Sequence, residues 1–482
     1  MNKLFFLGLL VIILASCVNY GNGELNGVPG RPYHYSTLPY GMQYCRSGSY
    51  QMGPNDQDVT WAMTAEQKTV SINAFWIDET EITNNEYRQF VNWVRDSIAY
   101  KLLGEDDPDR FLIATNEFEE DIDPPYINWA TFIEWDSEEE EIRETLEEMY
   151  LPEHERFYRQ KQIDTRKLNY EYFWIDLKQA SKKQYFDDGT NRTSWNYVDK
   201  KYNGEIINYS TNVPGSGESK LTKKDAEYGE LMEVKDRSSY VMRDVINVYP
   251  DTLVWISDFT YSYNEPMAKA YFWHPAFDHY PVVGVSWRQA RAFSVWRTML
   301  LNSFLRESGE PTVQDYRLPT ESEWEYAARG GQKGSMYPWG GPYATNYRGC
   351  YIANFKPMRG NYPADGGLFT VIVANNEPNE WGIYDMAGNV SEWTKNAWNP
   401  AAYSYTDDLN PDYEYETLPT DLPERKRKSV RGGSWKDIAA YMQCGTRSYE
   451  YEDTAKSYIG FRCVRGYLGH DFDDGGTGSN IY

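Results

Sequence analysis

Glycine and proline interrupt this chain of 482 residues so often that it cannot hold many long helices or strands. The sequence has 36 glycines and 24 prolines. Glycine favours turns, and proline lacks the backbone N–H that helices and sheets need, so both residues end regular structure. The segments between these breaks are short. We therefore predict an α+β fold with few helices, short strands and much irregular structure.

Capping boxes predict three helices. In each box a serine or threonine stands three residues before a glutamate or glutamine: Thr83 before Glu86, Ser286 before Gln289, and Thr320 before Glu323. The first helix places four apolar residues on one face: Tyr87, Phe90, Val91 and Val94. Glycines are expected to end the other two helices, at Gly309 and at Gly330.

Aromatic content and charge restrict the class of protein. Aromatic residues make up 16% of the chain, which excludes a disordered protein despite the mean hydropathy of −0.72, because disordered chains are poor in such residues. There are 48 Lys and Arg against 72 Asp and Glu, for a formal net charge of −24. A surface this acidic repels phosphate groups, so we expect no nucleic-acid partner.

Residues 1–17 have the pattern of a lipoprotein export signal. Lys3 precedes an apolar run over residues 4–14, which is too short to span a membrane. The tetrad that ends at Cys17 resembles the bacterial lipobox, in which the cysteine is acylated and becomes the mature N-terminus. Val18 replaces the aspartate that signals retention in the inner membrane. We therefore expect a lipid anchor on the periplasmic face of the outer membrane; an ordinary secretory signal is the alternative.

Four cysteines other than Cys17 are disulfide candidates. Export would place them in an oxidising compartment, where we expect one or two disulfides. The four are Cys45, Cys350, Cys444 and Cys463, which allow three pairings. None lies in a Cys-x-x-Cys pair, and the five histidines lack metal-ligand spacing, so a zinc or redox site is not supported.

Two segments differ in composition from the rest of the chain. Residues 18–45, rich in glycine, proline and asparagine, are predicted to form a flexible tether. Residues 99–272 are charged and aromatic. Their acidic part, residues 105–155, holds 20 Asp or Glu against Arg110 and Arg143 alone.

This long insertion has two interpretations. The acidic stretch can be the solvated face of a helix over residues 138–149. Tyrosine and tryptophan amid charge are also typical of protein–protein interfaces. We expect the insertion to pack on the flanking segments and to supply contacts with neighbouring subunits or a partner. We also expect a short linker to replace it without unfolding the rest, because loop-closure entropy grows slowly with length.

The segments that flank the insertion carry a series of motifs in a fixed order. The motifs lie at residues 48–53, 75–84, 281–287, 317–331, 381–393, 431–435 and 460–463. In this order they resemble the formylglycine-generating enzyme, or sulfatase-modifying factor, superfamily. The resemblance covers residues 46–98 and 273–466 and leaves residues 467–482 as a flexible tail. It implies a compact α+β domain, related to C-type-lectin-like domains and poor in regular structure.

The resemblance does not extend to the superfamily's chemistry. Its enzymes oxidise a substrate cysteine with two cysteines that follow the Gly-Gly-Ser-aromatic motif and bind copper. Here Asp437 stands in place of the first cysteine, and no thiol stands at the second. Cys444 matches a family cysteine that is not catalytic. Soft Cu(I) needs thiolates, so the resemblance implies a fold without this activity and without catalytic residues.

Structural calcium is the one cofactor that the resemblance implies. Family members hold Ca²⁺ with Asn and Asp side chains and main-chain carbonyls, as a hard cation requires. Asn389 matches the asparagine of the family's Gly-Asn-Val motif. Asn354 and Asp365 fall where the asparagine and aspartate of the other site lie. Turn residues that cap their own backbone are the alternative for all three.

A lipobox, a lost cysteine pair and a large acidic insertion together resemble one group within the superfamily, lipoproteins of the type IX secretion and gliding-motility machinery. This resemblance implies a structural ring subunit that self-associates and binds a periplasmic partner protein. The alternatives are a second gliding lipoprotein of the same fold, a lectin-like binding protein, and an enzyme that uses Asp437, Arg447 or Glu392. Fold alone does not decide among them.

Overall fold

The structure is a computed structural model that describes most of the chain from residue 38 to residue 469. The described ranges are 38–54, 66–115, 118, 120–181, 183–185, 191–193, 195–196, 201–202, 204–211, 227–261 and 264–469. Within them, residues Leu38–Tyr467 form one compact unit. The predicted export signal with Cys17, and the tether as far as residue 37, lie outside the described residues.

The described residues contain nine α-helices, only two of them long. The helices are α1 (Asn84–Asp106), α2 (Pro108–Phe111), α3 (Glu140–Glu147), α4 (Leu177–Ser181), α5 (Val254–Asp258), α6 (Pro266–Ala270), α7 (Trp287–Glu307), α8 (Glu321–Arg329) and α9 (Ala402–Tyr405). Single 3₁₀ turns add Glu153–Glu155, Phe157–Arg159, Thr165–Lys167, Arg237–Tyr240, Pro275–Phe277, Tyr362–Asp365, Pro423–Lys426 and Ala439–Met442.

The strands are short, as the frequent glycines and prolines predict. They are β1 (Met42–Cys45), β2 (Gly48–Met52), β3 (Lys68–Ile72), β4 (Phe75–Asp78), β5 (Leu112–Thr115), β6 (Asp121–Ile127), β7 (Asn169–Ile175), β8 (Lys183–Tyr185), β9 (Asn191–Thr193), β10 (Trp195–Asn196), β11 (Lys201–Tyr202), β12 (Glu205–Ile207), β13 (Leu231–Glu233), β14 (Val241–Asn247), β15 (Tyr316–Arg317), β16 (Ser391–Ala397), β17 (Arg427–Arg431), β18 (Ser448–Tyr451), β19 (Ile459–Gly460) and β20 (Val464–Gly466).

Two four-stranded sheets organise the family segments. The first has the strand order β1-β4-β20-β15 with antiparallel pairing. The second has the order β18-β17-β16-β19, in which β16 and β19 are parallel. The remaining strands of the described ranges form two-stranded ribbons. The mixture of helices and short strands is the predicted α+β fold.

All three predicted capping boxes are present. Thr83, Ser286 and Thr320 each accept a backbone N–H three residues on, and the residue at that position bonds back to the cap. Gly330 ends α8 with φ of 55°, the left-handed conformation that glycine adopts at low cost. The predicted helix ends are therefore also confirmed within a residue or two.

Helices α1 and α7 hold the centre of the main core together. Tyr87 stacks on Phe293 with ring centroids 5.6 Å apart, and Phe90 contacts Trp296 at 5.2 Å. These ring contacts advance along both helices in the same direction. The apolar face predicted from Tyr87, Phe90, Val91 and Val94 is buried, with each residue at most 6% exposed.

The insertion packs on this core, as predicted, and it also supplies residues of the core itself. Tyr170 and Tyr172 of β7 belong to the main hydrophobic core together with Leu168 and Val248. A charged side chain adds to this contact. Arg291 of α7 lies 4.2 Å from the ring of Trp174 in the insertion and also pairs with Glu416 at 2.9 Å. Replacing residues 99–272 by a linker would therefore expose the core, contrary to our expectation.

The acidic part of the insertion builds a small core of its own, on the second half of α1. Ala99, Tyr100 and Leu103 of α1 pack with Phe111, Ile133, Ile142, Leu146 and Met149. Helix α3 lies inside the helix predicted over residues 138–149, and it buries only Ile142 and Leu146. Its acidic residues face outward. We call this unit, residues 99–155, the acidic lobe.

The predicted tether and tail are shorter than the sequence suggests. Residues 42–45 of the predicted tether form strand β1, which pairs with β4 inside the first sheet. At the other end, Tyr467 packs its ring against Tyr44 at 4.9 Å and Trp76 at 5.9 Å. Met42, Cys45 and Tyr467 pack because their side chains are apolar. The average composition of a segment does not reveal such single residues.

Candidate functional site

The loop after the Gly-Gly-Ser-Trp motif is the place where the family's enzymes carry their chemistry. Strand β17 delivers Arg431, and the chain then turns through Gly432 and Gly433, both at positive φ. A Cβ on Gly433 would lie 2.9 Å from the backbone of Tyr441. Only glycine fits there, so the loop over residues 434–442 closes tightly on its own start.

Asp437, which the resemblance places at the position of the family's first cysteine, is hydrogen-bonded within and beside its own loop. The Ser434 hydroxyl donates to the Asp437 carboxylate over 2.6 Å, and the Asp437 carbonyl accepts the Lys356 N–H over 2.9 Å. Burial raises the pKa of this carboxyl above its ordinary value, although the bond from Ser434 opposes the shift. Asp437 therefore acts as a structural bridge in this loop.

The donor atoms near Asp437 do not suit the family's copper. Residues 436–443 contain no cysteine. Cys444 is fully buried, and burial raises the pKa of its thiol to about 12. Cu(I) binding needs thiolate ligands, and one buried cysteine does not supply the pair of thiols that the family's enzymes use. The residues present do not fit a copper centre, and we derive no oxidation step for this chain.

The insertion also covers this loop. Trp255 of α5 and Phe259 both stack on Trp435 with ring centroids 5.9 Å apart, and Phe369 meets Trp435 edge-on at 5.8 Å. Asp258 pairs with Lys436 at 2.7 Å. An aromatic cluster of this kind excludes water and contributes packing energy. Helix α5 therefore seals the side of the motif that Trp435 occupies.

Behind the loop lies a group of fully buried charges centred on α8. Glu325 accepts from Arg329 at 2.7 Å and also pairs with Arg431. Glu321 accepts from Arg447 through both carboxylate oxygens and from Arg431 at 3.3 Å. These five side chains are at most 5% exposed. We call them the buried charge cluster.

Backbone groups complete the cluster. Arg431 donates to the Cys444 carbonyl over 2.7 Å, and Arg329 donates to the carbonyls of Ser335 and Gly53 over 2.8 and 2.9 Å. Burial alone would raise the pKa of Glu321, yet Arg447 and Arg431 hold that pKa below its ordinary value. The cluster is therefore charged, and its partners come from several separate segments of the chain, although the Arg431 Nε has no hydrogen-bond partner among the described residues.

A second buried pair joins further motifs. Arg462 binds Glu392 through two bonds of 2.7 Å, and it also donates to the carbonyls of Asp78 and Tyr384 over 3.0 and 2.9 Å. Neither Arg462 nor Glu392 is more than 1% exposed. Arg447 and Glu392, which sequence reasoning offered as candidate catalytic groups, are thus consumed by buried ion pairs and are closed to a substrate.

The three residues predicted to bind calcium have different surroundings, and Asn389 differs from the other two. The side-chain oxygen of Asn389 accepts from Asn354 at 3.2 Å and from the Val371 N–H at 2.9 Å, which uses both of its lone pairs. Its amide donates to Glu81 at 3.1 Å. Asn389 has φ of 58°, as a turn asparagine does. In this arrangement it is a hydrogen-bond hub and does not fit as a ligand.

Asn354 and Asp365 fit a cation better. The side-chain oxygen of Asn354 is buried and accepts no hydrogen bond. That oxygen and the Asp365 carboxylate both lie against Gly367: the oxygen would be 2.7 Å from a Cβ there, and the carboxylate accepts the Gly367 N–H at 3.2 Å. Burial raises the pKa of Asp365. Oxygen donors of this kind suit Ca²⁺.

Sequence reasoning missed an acidic group beneath Asn389. Glu81 and Asp385 are buried close to the Glu392–Arg462 pair. Burial, reinforced by Asp385 and Glu392, raises the pKa of Glu81 well above its ordinary value. Burial likewise raises the pKa of Asp385 from 3.8 to about 6. Arg462 therefore lies near three carboxyl groups, those of Glu81, Asp385 and Glu392. The signal available in the sequence was Glu81, which lies in the motif over residues 75–84.

The predicted disulfides are not formed. Cys45, Cys444 and Cys463 are buried free thiols, and Cys350 is an exposed one. Cys463 lies in the main core with its sulfur 3.4 Å from the Ser294 hydroxyl, while Cys45 and Cys444 lie in a second hydrophobic cluster. Burial raises the pKa of the Cys463 thiol to about 12. The three buried cysteines pack as small apolar residues.

Histidines give no metal centre in the part of the chain that the structure describes. His274 caps its own 3₁₀ turn by accepting the Ala276 N–H at 3.1 Å, and His154 is exposed beside Glu155. His34 and His470 lie outside the described residues. Among the described residues, no group of three His, Cys, Asp or Glu side chains is placed to hold a metal ion.

Comparison with known proteins defines the class. The family model of the sulfatase-modifying factor enzyme 1-like domain matches residues 37–467. This chain belongs to that family. The match includes the insertion, which agrees with the sharing of one core between the insertion and the flanking segments.

Relatives of the chain include both inactive and active proteins. Inactive C-alpha-formylglycine-generating enzyme 2 from Bos taurus is 34% identical over 194 residues, covering 39% of this chain and 50% of the relative. Formylglycine-generating enzyme from Mus musculus is 33% identical over 196 residues, covering 39% and 45%. The chain thus spans about half the length of these relatives.

Solved structures with a similar fold are more distant. PvdO from Pseudomonas aeruginosa has 16% sequence identity and a TM-score of 0.39, with 88% of this chain and 94% of that chain covered. CarF has 16% identity and a TM-score of 0.36, with 89% and 98% covered.

Removing one arginine should test the buried charge cluster. Arg431→Met leaves Glu325 and Glu321 with one cation each in a fully buried site, so we expect a loss of about 3–5 kcal/mol in the free energy of unfolding. Arg425→Met is the matched control, because Arg425 pairs with Asp421 at 3.4 Å but is 62% exposed; its loss should stay below about 1 kcal/mol. Urea unfolding measures both. Equal losses would contradict a special role for the cluster.

The pKa of Asp385 predicts a pH effect with a definite sign. Because the folded pKa, about 6, exceeds the ordinary 3.8, the folded state binds the proton more tightly. Its stabilising contribution is complete below pH 4 and is lost as the pH rises through 6, by up to about 3 kcal/mol. Asp385→Asn keeps the bond from the Ala374 N–H but cannot titrate.

The measurement is urea unfolding of both proteins in calcium-free buffer between pH 4 and pH 7. We expect the stability of wild type relative to Asp385→Asn to fall across this range. A difference that stays constant with pH would show that Asp385 titrates normally.

Proposed function

We propose that this protein is a non-enzymatic lipoprotein of the outer membrane that serves as a structural ring subunit of the type IX secretion and gliding-motility machinery, in the manner of the gliding-motility lipoprotein GldK, also called PorK. Its partner would be a periplasmic protein resembling GldN, also called PorN. The observation that carries the proposal is the replacement of the thiol site. Asp437 and the aromatic cover from α5 convert the family's reactive loop into packing.

The insertion supports an assembly role. It is built into the core through Tyr170 and Tyr172, so its outer face is presented rigidly. That face exposes large aromatic side chains amid acidic residues: Phe132 is 88% exposed and Tyr158 is 81% exposed. Exposed aromatic residues on a rigid surface are typical of binding sites for other proteins.

Anchoring would come from lipid on Cys17. In the part of the chain that the structure describes, no helix is long and apolar enough to cross a membrane. Two or more acyl chains would hold the protein stably, since each buried CH₂ contributes about 0.8 kcal/mol. The lipobox pattern supports the outer membrane, on its periplasmic face, as the location.

Of the alternatives, none has an observation of comparable weight. An enzyme on this fold could not use Arg447 or Glu392 as catalytic groups, because both are buried in ion pairs. A lectin-like binding protein would act as a monomer with a glycan. The related gliding lipoprotein GldJ shares the fold, and its partner would distinguish it. Oligomeric state and partner identity therefore separate these candidates from a GldK-like ring subunit.

The proposal is tested by extracting the protein from native outer membranes in mild detergent. We expect a large symmetric assembly that contains the GldN-like partner, seen by electron microscopy and mass spectrometry. Cys17→Ala should remain unprocessed or soluble in the periplasm, and both assembly and type IX secretion should fail because the anchor is lost. A monomer without partner in wild type, or Cys17→Ala in the outer membrane with normal secretion, would contradict the proposal.

We also propose a structural calcium ion held by the side-chain oxygen of Asn354 and the carboxylate of Asp365. Bound calcium supplies positive charge to a buried oxygen that otherwise lacks a donor, and it links the turn at Asn354 to the 3₁₀ turn that Asp365 ends. Calcium should raise the melting temperature relative to a chelator, since a ligand that binds only the folded state stabilises it by about 2.7 kcal/mol at 100 times its Kd.

Asp365→Asn should abolish that calcium-dependent shift, because it removes the charge but keeps the size of the side chain. Asp421→Asn is the control, as this carboxylate caps the Leu418 N–H away from Asn354. Identical melting temperatures with calcium and with chelator in wild type would contradict the proposed ion.

A further inference from the structure

One exposed segment of this acidic protein carries the opposite charge and forms no ion pair among the described residues. Residues 331–362 contain four Lys or Arg and no Asp or Glu, in a chain whose net charge is −24. Lys333, Arg348, Lys356 and Arg359 are all exposed. Large side chains lie exposed among them, Tyr343 at 73%, Tyr347 at 89% and Met358 at 55%. We call these seven residues the basic surface.

The cations of the basic surface are available for a partner. None of the ion pairs in the described ranges includes any of the four. Arg348 lies 5.2 Å from the ring of Tyr347, and Lys356 lies 5.0 Å from the ring of Tyr362. Cations held over aromatic rings lose less freedom when they bind, and an exposed tyrosine adds contact area at low entropic cost.

The acidic lobe offers a surface of matching chemistry. Helix α3 and the residue before it expose Glu139, Glu140, Glu141 and Glu144, and Phe132 beside them is 88% exposed. Within residues 105–155 the only Lys or Arg are Arg110 and Arg143, which pair with Glu139 at 3.3 Å and Glu140 at 3.8 Å. Glu141 and Glu144 form no ion pair among the described residues.

The two surfaces belong to different parts of the fold. The basic surface rests on a hydrophobic cluster that includes Tyr337, Phe355 and Met442. The four glutamates of the acidic lobe and Phe132, which we call the acidic surface, rest on the cluster of Tyr100, Phe111 and Ile142. No ion pair between described residues joins the two surfaces. Each copy of the chain therefore carries both halves of a complementary contact without using them internally.

We propose that the basic surface of one copy docks on the acidic surface of the next copy, head to tail. A contact between two different patches of the same chain repeats around an axis and closes into a ring when the rotation permits. Opposite charges steer such a contact and set its orientation, and the exposed aromatic residues supply its apolar part. This inference rests on the proposed ring function and names the surfaces that would build the ring.

A charge swap on the full lipidated chain, purified in mild detergent, tests the contact. Arg348→Glu with Arg359→Glu should convert the large assembly into monomers by light scattering. Lys269→Glu with Lys426→Glu is the control, because it changes the net charge equally at two lysines that form no ion pair in the described ranges. Glu141→Lys with Glu144→Lys should also give monomers. Combining the two double variants should restore assembly, since the charges then match again.

The outcomes separate this inference from the ring proposal. If wild type assembles and Arg348→Glu with Arg359→Glu assembles equally well, the ring stands and this contact is wrong. If Glu141→Lys with Glu144→Lys keeps self-assembly but loses the GldN-like partner, the acidic surface belongs to the partner and the inference is overturned. Wild type that stays monomeric would overturn both. In the expected case, assembly also weakens as salt is raised, because exposed charges are screened.

Discussion

The pairing of buried carboxylates on α8 with arginines from distant motifs is the interaction on which the rest of the structure depends. A fold with short strands has few backbone hydrogen bonds to fix its segments. Glu321 and Glu325 therefore connect α8 to β17 through Arg431 and to the segment after Cys444 through Arg447. Burying these charges is costly unless every one is paired. The penalty for any misplaced partner makes the arrangement specific.

The same principle explains how the insertion becomes part of the domain. Its aromatic residues enter the main core, and its polar residues meet charges that the core already holds. Arg291 lies over Trp174 and pairs with Glu416, while Asp258 reaches Lys436 next to the Gly-Gly-Ser-Trp motif. An insertion fixed in this way shares one core with the flanking segments. A rigid surface loses little conformational entropy when it binds, which favours assembly.

Local signals in the sequence predicted local structure well. Capping boxes at Thr83, Ser286 and Thr320 gave the starts of the three main helices, because a cap depends only on residues within one turn. The motifs predicted the fold. The disulfides, and the tether over its last residues 42–45, were wrong where tertiary packing decides. Cys45 is buried, and the strand that carries it pairs with β4, which lies about thirty residues further on.

The candidate site shows the same limit. Asp437 in place of a thiol can be seen in the sequence, but its bond to Ser434 cannot. Asn389 matches a ligand position, yet its oxygen is taken by the amide of Asn354 and the Val371 N–H, which approach from elsewhere in the chain. The pKa of Asp385 depends on burial that only the fold creates. Chemistry that requires several segments to meet was beyond the sequence.

The buried charges that hold the fold together lie apart from the loop where the resemblance places the family's thiols. Fold-determining charges lie on α8, on β17 and in the segment that carries Arg462, whereas the thiol positions lie in the loop after Trp435. Asp437 needs only Ser434 and one backbone contact to be satisfied there. An aspartate at this position therefore leaves the buried ion pairs of Arg431 and Arg462 intact.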